Sequence, residues 1–230
     1  MKIIGLLGGM SWESTVPYYR HINEAVKKRL GGLHSARLVL YSVDFHSIEQ
    51  LQSAGRWDDA GRMLAEAAAS LQLAGAEFII LCTNTMHRVA PAIEDAVTIP
   101  FLHIADATGA AVTRSNIGII GLLGTRFTME QEFYAGRLRE KYGLEVLVPD
   151  AEDRDEVHRV IYEELCLGKT LDGSRDAFHR IINRLIARGA KGIILGCTEI
   201  SLLVDAAQFP VPCFDTTRLH ALYAADFALM

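Results

Sequence analysis

The segment IIGLLGG at residues 3–9 returns almost unchanged as IIGLLGT at residues 119–125. A second pair repeats at nearly the same spacing, GAEFIILCTNT at 75–85 and GAKGIILGCTE at 189–199, with five of eleven positions identical. Internal repeats that occur in the same order predict a chain built from two related halves. Whatever lies between such halves is expected to have pseudo-twofold symmetry.

Ungapped alignment of the longer repeat sets Thr83 opposite Cys197. Both residues follow an apolar run, so they occupy equivalent places in the two halves. Paired groups on the two sides of one cleft suit a reaction that works on both faces of one atom.

The composition and charge of the chain indicate which kind of molecule it binds. The 230 residues are 50% apolar and 22% charged, which is enough to bury a substantial core in one large domain or two smaller lobes. The formal net charge is −5, and the only basic run is Lys27, Lys28 and Arg29. This distribution argues against nucleic acid and anionic membrane as partners and favours a small molecule.

The start of the chain, Lys2 followed by an apolar run, is similar to a signal peptide. Its internal repeat favours a buried strand instead, and no segment approaches the roughly 18 apolar residues of a membrane helix. We therefore expect a cytoplasmic protein. Neither a disulfide framework nor a zinc site is indicated by the spacing of the four cysteines, Cys82, Cys166, Cys197 and Cys213.

Short apolar runs alternate with helical patterns along the chain. The strand candidates are Ile3–Leu7, Arg37–Ser42, Phe78–Leu81, Phe101–Ile104, Ile117–Leu122, Leu144–Leu147, Ile193–Leu195 and Val211–Phe214. Continuous apolar strands separated by helices are typical of parallel sheets covered on both faces. The sequence thus predicts an α/β protein of two pseudo-symmetric lobes, each a mainly parallel sheet flanked by helices, with the active site in the cleft between them.

The lobe boundaries follow from the repeat. The first lobe is predicted to contain residues 1–97 and 213–230, and the second lobe residues 98–212. Within the second lobe, Thr128 and Gln131 have the spacing of a capping box, which predicts a helix over 128–141.

Four turns that follow the repeated strands carry glycine or polar residues. Open parallel sheets bind ligands at the carboxyl ends of their strands, and helix starts offer N–H groups suited to carboxylates. A single Ser, Thr or Asn in such a turn is more simply a helix cap, but four turns converge here. GLLGGM is neither a dinucleotide fingerprint nor a Walker sequence. The candidate binding residues are Met10, Ser11, Asn84, Thr85, Thr125, Thr198 and Glu199.

Cys197 has two interpretations. A lone cysteine near a strand end is commonly a small buried hydrophobe. A cysteine at a helix start can instead have its pKa lowered from about 8.5 toward neutrality by the helix dipole. Because Thr198 and Glu199 follow at a predicted helix start, we expect a thiol that exchanges protons near pH 7.

Three motifs, GLLGGMSWEST at 5–15, NTMH at 84–87 and GCTE at 196–199, together resemble the aspartate/glutamate racemase family. The resemblance covers essentially the whole chain. It implies an enzyme that needs no cofactor and no metal, is commonly a homodimer, and inverts the α-carbon of an acidic amino acid. In that family one thiol removes the proton on one face while a second thiol returns it on the other.

The chain departs from the family at one of these thiols. The family usually reads Cys-Asn-Thr where this chain has Thr83, Asn84 and Thr85. Cys82 stands one residue early, and because a one-residue shift in a strand reverses the side chain, it is predicted to pack in the core. The resemblance assigns removal of the proton from the L isomer to Cys197 and the opposite face to Thr83. Since a hydroxyl is a poor base, turnover from L to D is expected to be favoured.

The other candidates divide by the substrate group that each would bind. They are assigned to the α-carboxylate (Asn84, Thr85, Thr198), the ammonium (Glu199) and the side-chain carboxylate (Met10, Ser11, Thr125 and, in the loop after the second strand, Gln52). Some relatives place an Arg in that loop and a Lys in the segment matching residues 161–168, where this chain has Cys166. The choice between aspartate and glutamate therefore stays open.

Two other functions fit the loss of one thiol. One is a single-thiol decarboxylase or cis–trans isomerase of a dicarboxylic acid, and the other is an amino-acid-binding relative without turnover. Scattered histidines are commonly structural, so no role is assigned to His34, His46, His87, His103 or His220. Asp44 and Asp106, near strand ends, are candidates for tuning the site and are left unranked.

Overall fold

Each of the eight predicted strand segments overlaps a strand in the computed structural model, which describes residues 1–230. The strands are β1 Ile4–Gly8, β2 Leu38–Ser42, β3 Phe78–Leu81, β4 Phe101–Leu102, β5 Ile119–Gly124, β6 Glu145–Leu147, β7 Ile193–Gly196 and β8 Cys213–Asp215. They form two four-stranded parallel sheets with the orders β2-β1-β3-β4 and β6-β5-β7-β8. The two orders are equivalent, and the predicted α/β architecture is confirmed.

Helices connect the strands, as expected for parallel pairing. They are α1 Trp12–Leu30, α2 Phe45–Ser53, α3 Trp57–Leu73, α4 Ala90–Ala96, α5 Ile104–Arg114, α6 Arg126–Glu130, α7 Glu132–Tyr142, α8 Ala151–Glu163, α9 Asp172–Ala187, α10 Ile200–Leu203 and α11 Thr216–Leu229. Short 3₁₀ turns lie at Thr85–Val89, Leu165–Leu167 and Ala206–Gln208. None of the helices has the length and apolar character that a membrane crossing requires.

The chain folds into two compact units. Unit 1 contains Met1–Ile104 and His220–Met230, and unit 2 contains Ala105–Leu219. These divisions lie seven residues later than the predicted boundaries at each crossing, because β4 pairs with β3 and β8 pairs with β7. Each of the two short strands therefore completes the sheet that precedes it in the chain.

Alternate residues of the central strands in unit 1 fill two separate apolar clusters. Ile4 and Ile80 pack with residues of α1 and α11, whereas Leu7 and Leu81 pack with residues of α3. Cys82 is fully buried in the first of these clusters, as the register argument predicts. The continuous apolar strands are thus explained by burial on both faces of the sheet.

The predicted capping box at residues 128–131 does not start a helix. Thr125, which comes sooner after β5, accepts the Thr128 N–H at 3.3 Å and caps α6. The backbone is then extended at Gln131, where α7 begins. The predicted single helix is therefore two helices, with Thr128 buried inside the first.

Glycine at the end of β7 allows two strands to approach closely. A Cβ atom on Gly196 would lie 2.7 Å from the Leu123 carbonyl oxygen, and one on Gly124 would lie 2.8 Å from the Gly196 carbonyl oxygen. Real side chains do not tolerate such distances to backbone atoms. The two strands can therefore approach this closely only because Gly124 and Gly196, the residue just before Cys197, have no side chain.

Gly9, directly after β1, offers a stability test. Its φ is +92°, and a Cβ atom would collide with the Val43 carbonyl and lie 2.7 Å from the Val43 nitrogen. Gly75 has nearly the same φ, +94°, in open space. We expect Gly75→Ala to lower the free energy of unfolding by about 1–2 kcal/mol, and Gly9→Ala by at least about twice that because a backbone clash is added.

Urea denaturation of both variants measures these losses. Because the two glycines lie in the same unit and share the same φ, Gly75→Ala isolates the conformational cost. Equal losses would show that the segment around Val43 moves aside freely.

Candidate functional site

Strand pairing collects the predicted residues into one group in each unit. In unit 1, β1 and β3 are parallel neighbours with Leu7 opposite Leu81, so the turns that follow them share one edge of the sheet. In unit 2, Gly124 is opposite Gly196, which brings the turns after β5 and β7 to one edge. We call the two groups the Thr83 cluster (Met10, Ser11, Thr83, Asn84, Thr85) and the Cys197 cluster (Thr125, Cys197, Thr198, Glu199). All nine residues are buried.

Two predicted hydroxyls serve as helix caps. Ser11 accepts the Ser14 N–H at 3.4 Å at the start of α1, and Thr125 caps α6 as described above. Both residues thus act as helix caps, which is the simpler of the two interpretations of a Ser or Thr in such a turn. Their role toward a substrate stays a prediction.

The side chains of Met10 and Gln52 both contact other residues of unit 1. Met10 packs in the apolar cluster with Leu7. Gln52 lies in α2 rather than in a loop, which corrects its predicted setting, and its amide nitrogen is 2.8 Å from the sulfur of Met86. Gln52 therefore supports the 3₁₀ turn that begins at Thr85.

The backbone N–H and the backbone carbonyl of Thr83 are both hydrogen-bonded. Its N–H donates to the Leu81 carbonyl at 2.9 Å, and its carbonyl oxygen lies 2.7 Å from Nδ1 of His87. His87 was assigned no role from the sequence, although it belongs to the NTMH motif. Only the fold shows that this ring reaches back to the residue at the candidate acid/base position.

Cys82 and Cys197 have different surroundings. Burial raises the pKa of the Cys82 thiol, which lies among apolar side chains. The sulfur of Cys197, in contrast, lies 3.0 Å from Oε2 of Glu199. The hydroxyl of Thr198 donates to the same carboxylate oxygen at 2.6 Å. Of these two cysteines, Cys197 is the one with a proton acceptor beside it.

The structure reverses the expected pKa of Cys197. Burial raises the pKa well above its ordinary value, and the negative charge of Glu199 and the nearby thiol of Cys166 raise it further. The predicted lowering required a helix dipole, but only the four-residue α10 follows this turn. At neutral pH the resting thiol is therefore protonated and donates its proton to the Glu199 carboxylate.

Cys166, in the 3₁₀ turn Leu165–Leu167, takes part in the same group. Its sulfur lies 3.8 Å from Oε1 of Glu199. One buried carboxylate thus accepts from two thiols and a hydroxyl. Its predicted contact with a substrate ammonium stays a prediction.

The two aspartates that drew attention in the sequence have structural contacts. Asp44 accepts the His46 N–H at 3.2 Å and caps α2. Burial alone would raise the pKa of Asp106, but hydrogen bonds from Arg137 and Lys141 lower it below its ordinary value. Neither aspartate belongs to the two clusters. No group of three or more His, Cys, Asp or Glu in the chain is arranged to hold a metal ion.

The charge of Glu199 can be tested through alkylation of Cys197. We expect Glu199→Gln to shift the rise of the iodoacetamide reaction to lower pH, because the carboxylate is one cause of the raised thiol pKa. Mass spectrometry of the peptide that contains Cys197 gives the rate at each pH. Glu152→Gln, at an exposed position of α8, is the control and should leave the profile unchanged. An unchanged or upward-shifted profile for Glu199→Gln would contradict the assigned interaction.

Known proteins share this arrangement of elements. The profile of the Asp/Glu/Hydantoin racemase family matches residues 7–224. The crystal structure of a putative Asp/Glu racemase from Yersinia pestis is 62% identical, with a TM-score of 0.93 and 100% of both chains covered. An aspartate racemase homologue from Pyrococcus horikoshii OT3 is 32% identical, with a TM-score of 0.85 and the same coverage. The broad specificity amino-acid racemase RacX of Bacillus subtilis is 24% identical over 226 residues, 95% of each chain. The chain belongs to the Asp/Glu/Hydantoin racemase family.

Proposed function

We propose that this protein is a racemase that inverts the α-carbon of an acidic amino acid, aspartate or glutamate, without a cofactor. Cys197 removes the proton from the L isomer, and Thr83 serves the opposite face. The observation that carries the proposal is the buried thiol of Cys197 hydrogen-bonded to the Glu199 carboxylate. The equivalent turn after β3 carries Thr83. The racemases among the relatives support the reaction class.

On the face of the substrate that Cys197 serves, the thiol proton has an acceptor within hydrogen-bond distance. The Cys197 thiol passes its proton to Oε2 of Glu199, and the resulting thiolate takes the proton from the α-carbon, whose bonding electrons stay on the substrate. The raised pKa of Cys197 shows that forming the thiolate is costly, at about 1.4 kcal/mol for each pKa unit. We assign the substrate ammonium to Oε1 of the same carboxylate, where Cys166 makes a long contact of 3.8 Å.

The developing negative charge on the substrate needs donors aimed at its α-carboxylate. We assign this role to the backbone N–H groups of the two turns together with Asn84, Thr85 and Thr198. The Thr198 hydroxyl already donates to Glu199, so its N–H is the group that we propose. The distal carboxylate is assigned to Met10, Ser11, Thr125 and Gln52.

The difference between a hydroxyl and a thiol predicts unequal turnover. We expect saturated turnover from L-aspartate or L-glutamate to exceed that from the D isomer by at least about tenfold, because Thr83 is a poor base. Enantiomers have equal free energies, so the mixture must still end at equal amounts. Circular dichroism or chiral chromatography gives the initial rates. Comparable turnover numbers from both enantiomers would contradict the assignment of Thr83 as the weaker base.

Substitutions test the assignment of Thr83 and Cys197 as the two acid/base residues. Thr83→Cys should increase D to L turnover, and Cys197→Ser should lower L to D turnover by a factor of at least about 100. Cys82→Ala is the matched control, since Cys82 is a core residue, and it should leave the ratio of the two directions unchanged. If Cys82→Ala abolished the reaction and Thr83→Cys changed nothing, the assignment would move to Cys82.

Alternative functions give different results in one assay. Incubation of L- and D-amino acids in D₂O exchanges the α-proton and inverts the carbon if the protein is a racemase. A single-thiol decarboxylase or isomerase would leave amino acids untouched while it consumes a dicarboxylic acid. A binding relative would do neither. A cytoplasmic location stays a prediction from the sequence.

We also propose that the protein is a homodimer that associates through α1. Trp12, Val16 and Tyr19 recur at helical spacing and are 65%, 48% and 54% exposed. An apolar stripe of this size on a helix is typical of an association surface. The edge strand β2 also exposes Leu40 and Tyr41.

The association surface is tested by charge insertion. Val16→Glu together with Tyr19→Glu should convert a dimer to a monomer, because two carboxylates would have to be buried without partners. Light scattering after size-exclusion chromatography measures the mass. Leu33→Glu, at a fully exposed apolar residue beyond α1, is the control and should not change the mass. A wild-type monomer, or a double variant that remains dimeric, would exclude this surface.

A further inference from the structure

Three histidines lie close together in the interior of unit 1. His87, His103 and His220 are all buried. The ring centroid of His87 is 4.4 Å from that of His103 and 6.0 Å from that of His220. The reaction proposed above uses none of the three rings. We refer to them as the histidine cluster.

The contacts of His87 fix its tautomer. The backbone N–H of Ile104 donates to Nε2 at 3.1 Å, so Nε2 carries a lone pair and Nδ1 carries the proton. That proton is donated to the carbonyl oxygen of Thr83, 2.7 Å from Nδ1. The ring is therefore neutral, and each nitrogen has a specific partner.

The second ring of the cluster is fixed in the same manner. Nε2 of His220 is 2.8 Å from the Leu102 carbonyl oxygen, which can only accept, so this nitrogen carries the proton. Nδ1 of His220 lies 3.0 Å from the Tyr18 hydroxyl oxygen. His220 and His87 thus hold the chain on either side of His103, at Leu102 and Ile104.

The bond from His87 to Thr83 replaces a bond that a regular helix would make. In an α-helix the Thr83 carbonyl would accept the N–H of residue 87, but that N–H donates to the Asn84 carbonyl at 3.1 Å. The imidazole of His87 takes its place. The ring therefore sets the orientation of the peptide between Thr83 and Asn84, on which both the Thr83 side chain and the Asn84 N–H depend.

We propose that His87 is a positioning residue for the threonine face of the reaction. The inference rests on the proposed racemase function and adds a residue to it. His87 holds the Thr83 carbonyl, and through that peptide it fixes the hydroxyl of Thr83 and the N–H of Asn84. Its second bond anchors this turn to Ile104, the residue at which the chain leaves unit 1 for the first time.

A pair of amide variants separates the two bonds of the ring. Asparagine places its NH₂ group near the position of Nδ1 and can still donate to the Thr83 carbonyl, but it leaves the Ile104 N–H behind. Glutamine reaches the position of Nε2 and can accept from Ile104, but it loses the donor to Thr83. Each variant removes one of the two bonds, so the losses in thermal stability should be similar.

The measured quantity is the ratio of exchange to inversion. With L substrate deuterated at the α-carbon in ordinary water, loss of deuterium from remaining L substrate reports the Cys197 step, and formation of the D isomer also requires the Thr83 face. We expect His87→Gln to raise the ratio of exchange to inversion about tenfold and to lower kcat for inversion with little change in KM. His87→Asn should stay within about threefold of wild type in both, and so should His46→Asn, at an exposed control histidine.

A purely structural role would lower exchange and inversion together and would make His87→Asn and His87→Gln alike, which would overturn the proposal. Wild-type protein that neither exchanges nor inverts aspartate or glutamate would overturn the proposed function and this inference with it, whereas an active wild type with two equivalent variants overturns the inference alone. The long-range ¹H–¹⁵N spectrum of the wild type gives a test that needs no variant. It should assign the proton of His87 to Nδ1, and a proton on Nε2 would contradict the bond to Thr83.

Discussion

Parallel pairing of β1 with β3, and of β5 with β7, determines where the nine side chains of the Thr83 and Cys197 clusters lie. Because the strands run in the same direction, the turns at their carboxyl ends share one edge in each unit. The motifs that are far apart in sequence, such as the glycine turn after β1 and the threonine turn after β3, become neighbours only through this pairing. Burial of the strands on both faces keeps the register fixed, since a slip by one residue would turn apolar side chains away from their clusters.

The Cys197 cluster combines two opposing electrostatic effects. A buried carboxylate beside a thiol disfavours the thiolate, yet it supplies the acceptor to which the thiol proton can move. The resting enzyme therefore holds its proposed base in the protonated form. A reactive thiolate exposed at all times would also be open to oxidation, which follows thiolate character and access. The position of Glu199 thus accounts both for the protonated resting thiol and for the acceptor that the proposed proton transfer needs.

Much of the fold was predictable, because apolar runs and internal repeats depend on local sequence. The eight strands and the two equivalent sheets follow from these patterns, as does the burial of Cys82. The direction of the pKa shift of Cys197 was not predictable, since it depends on the burial of the thiol, on the position of Glu199 and on the shortness of α10. The helix break at Gln131 was missed because two competing caps stand three residues apart. The histidine cluster was missed because residues 87, 103 and 220 meet only after the chain has returned to unit 1.

The glycine that ends β7 makes the duplicated turns unequal. In the repeat alignment Gly196 is the counterpart of Cys82, and the two precede Cys197 and Thr83. Unit 1 provides an apolar niche for a side chain at that position, whereas in unit 2 a Cβ atom would meet the Leu123 carbonyl oxygen and the Leu122 side chain. A transplanted Gly-Cys pair would find room in the first half, at the cost of a small void. The reverse graft would force a side chain against the Leu123 carbonyl oxygen, so the two dipeptides are not interchangeable.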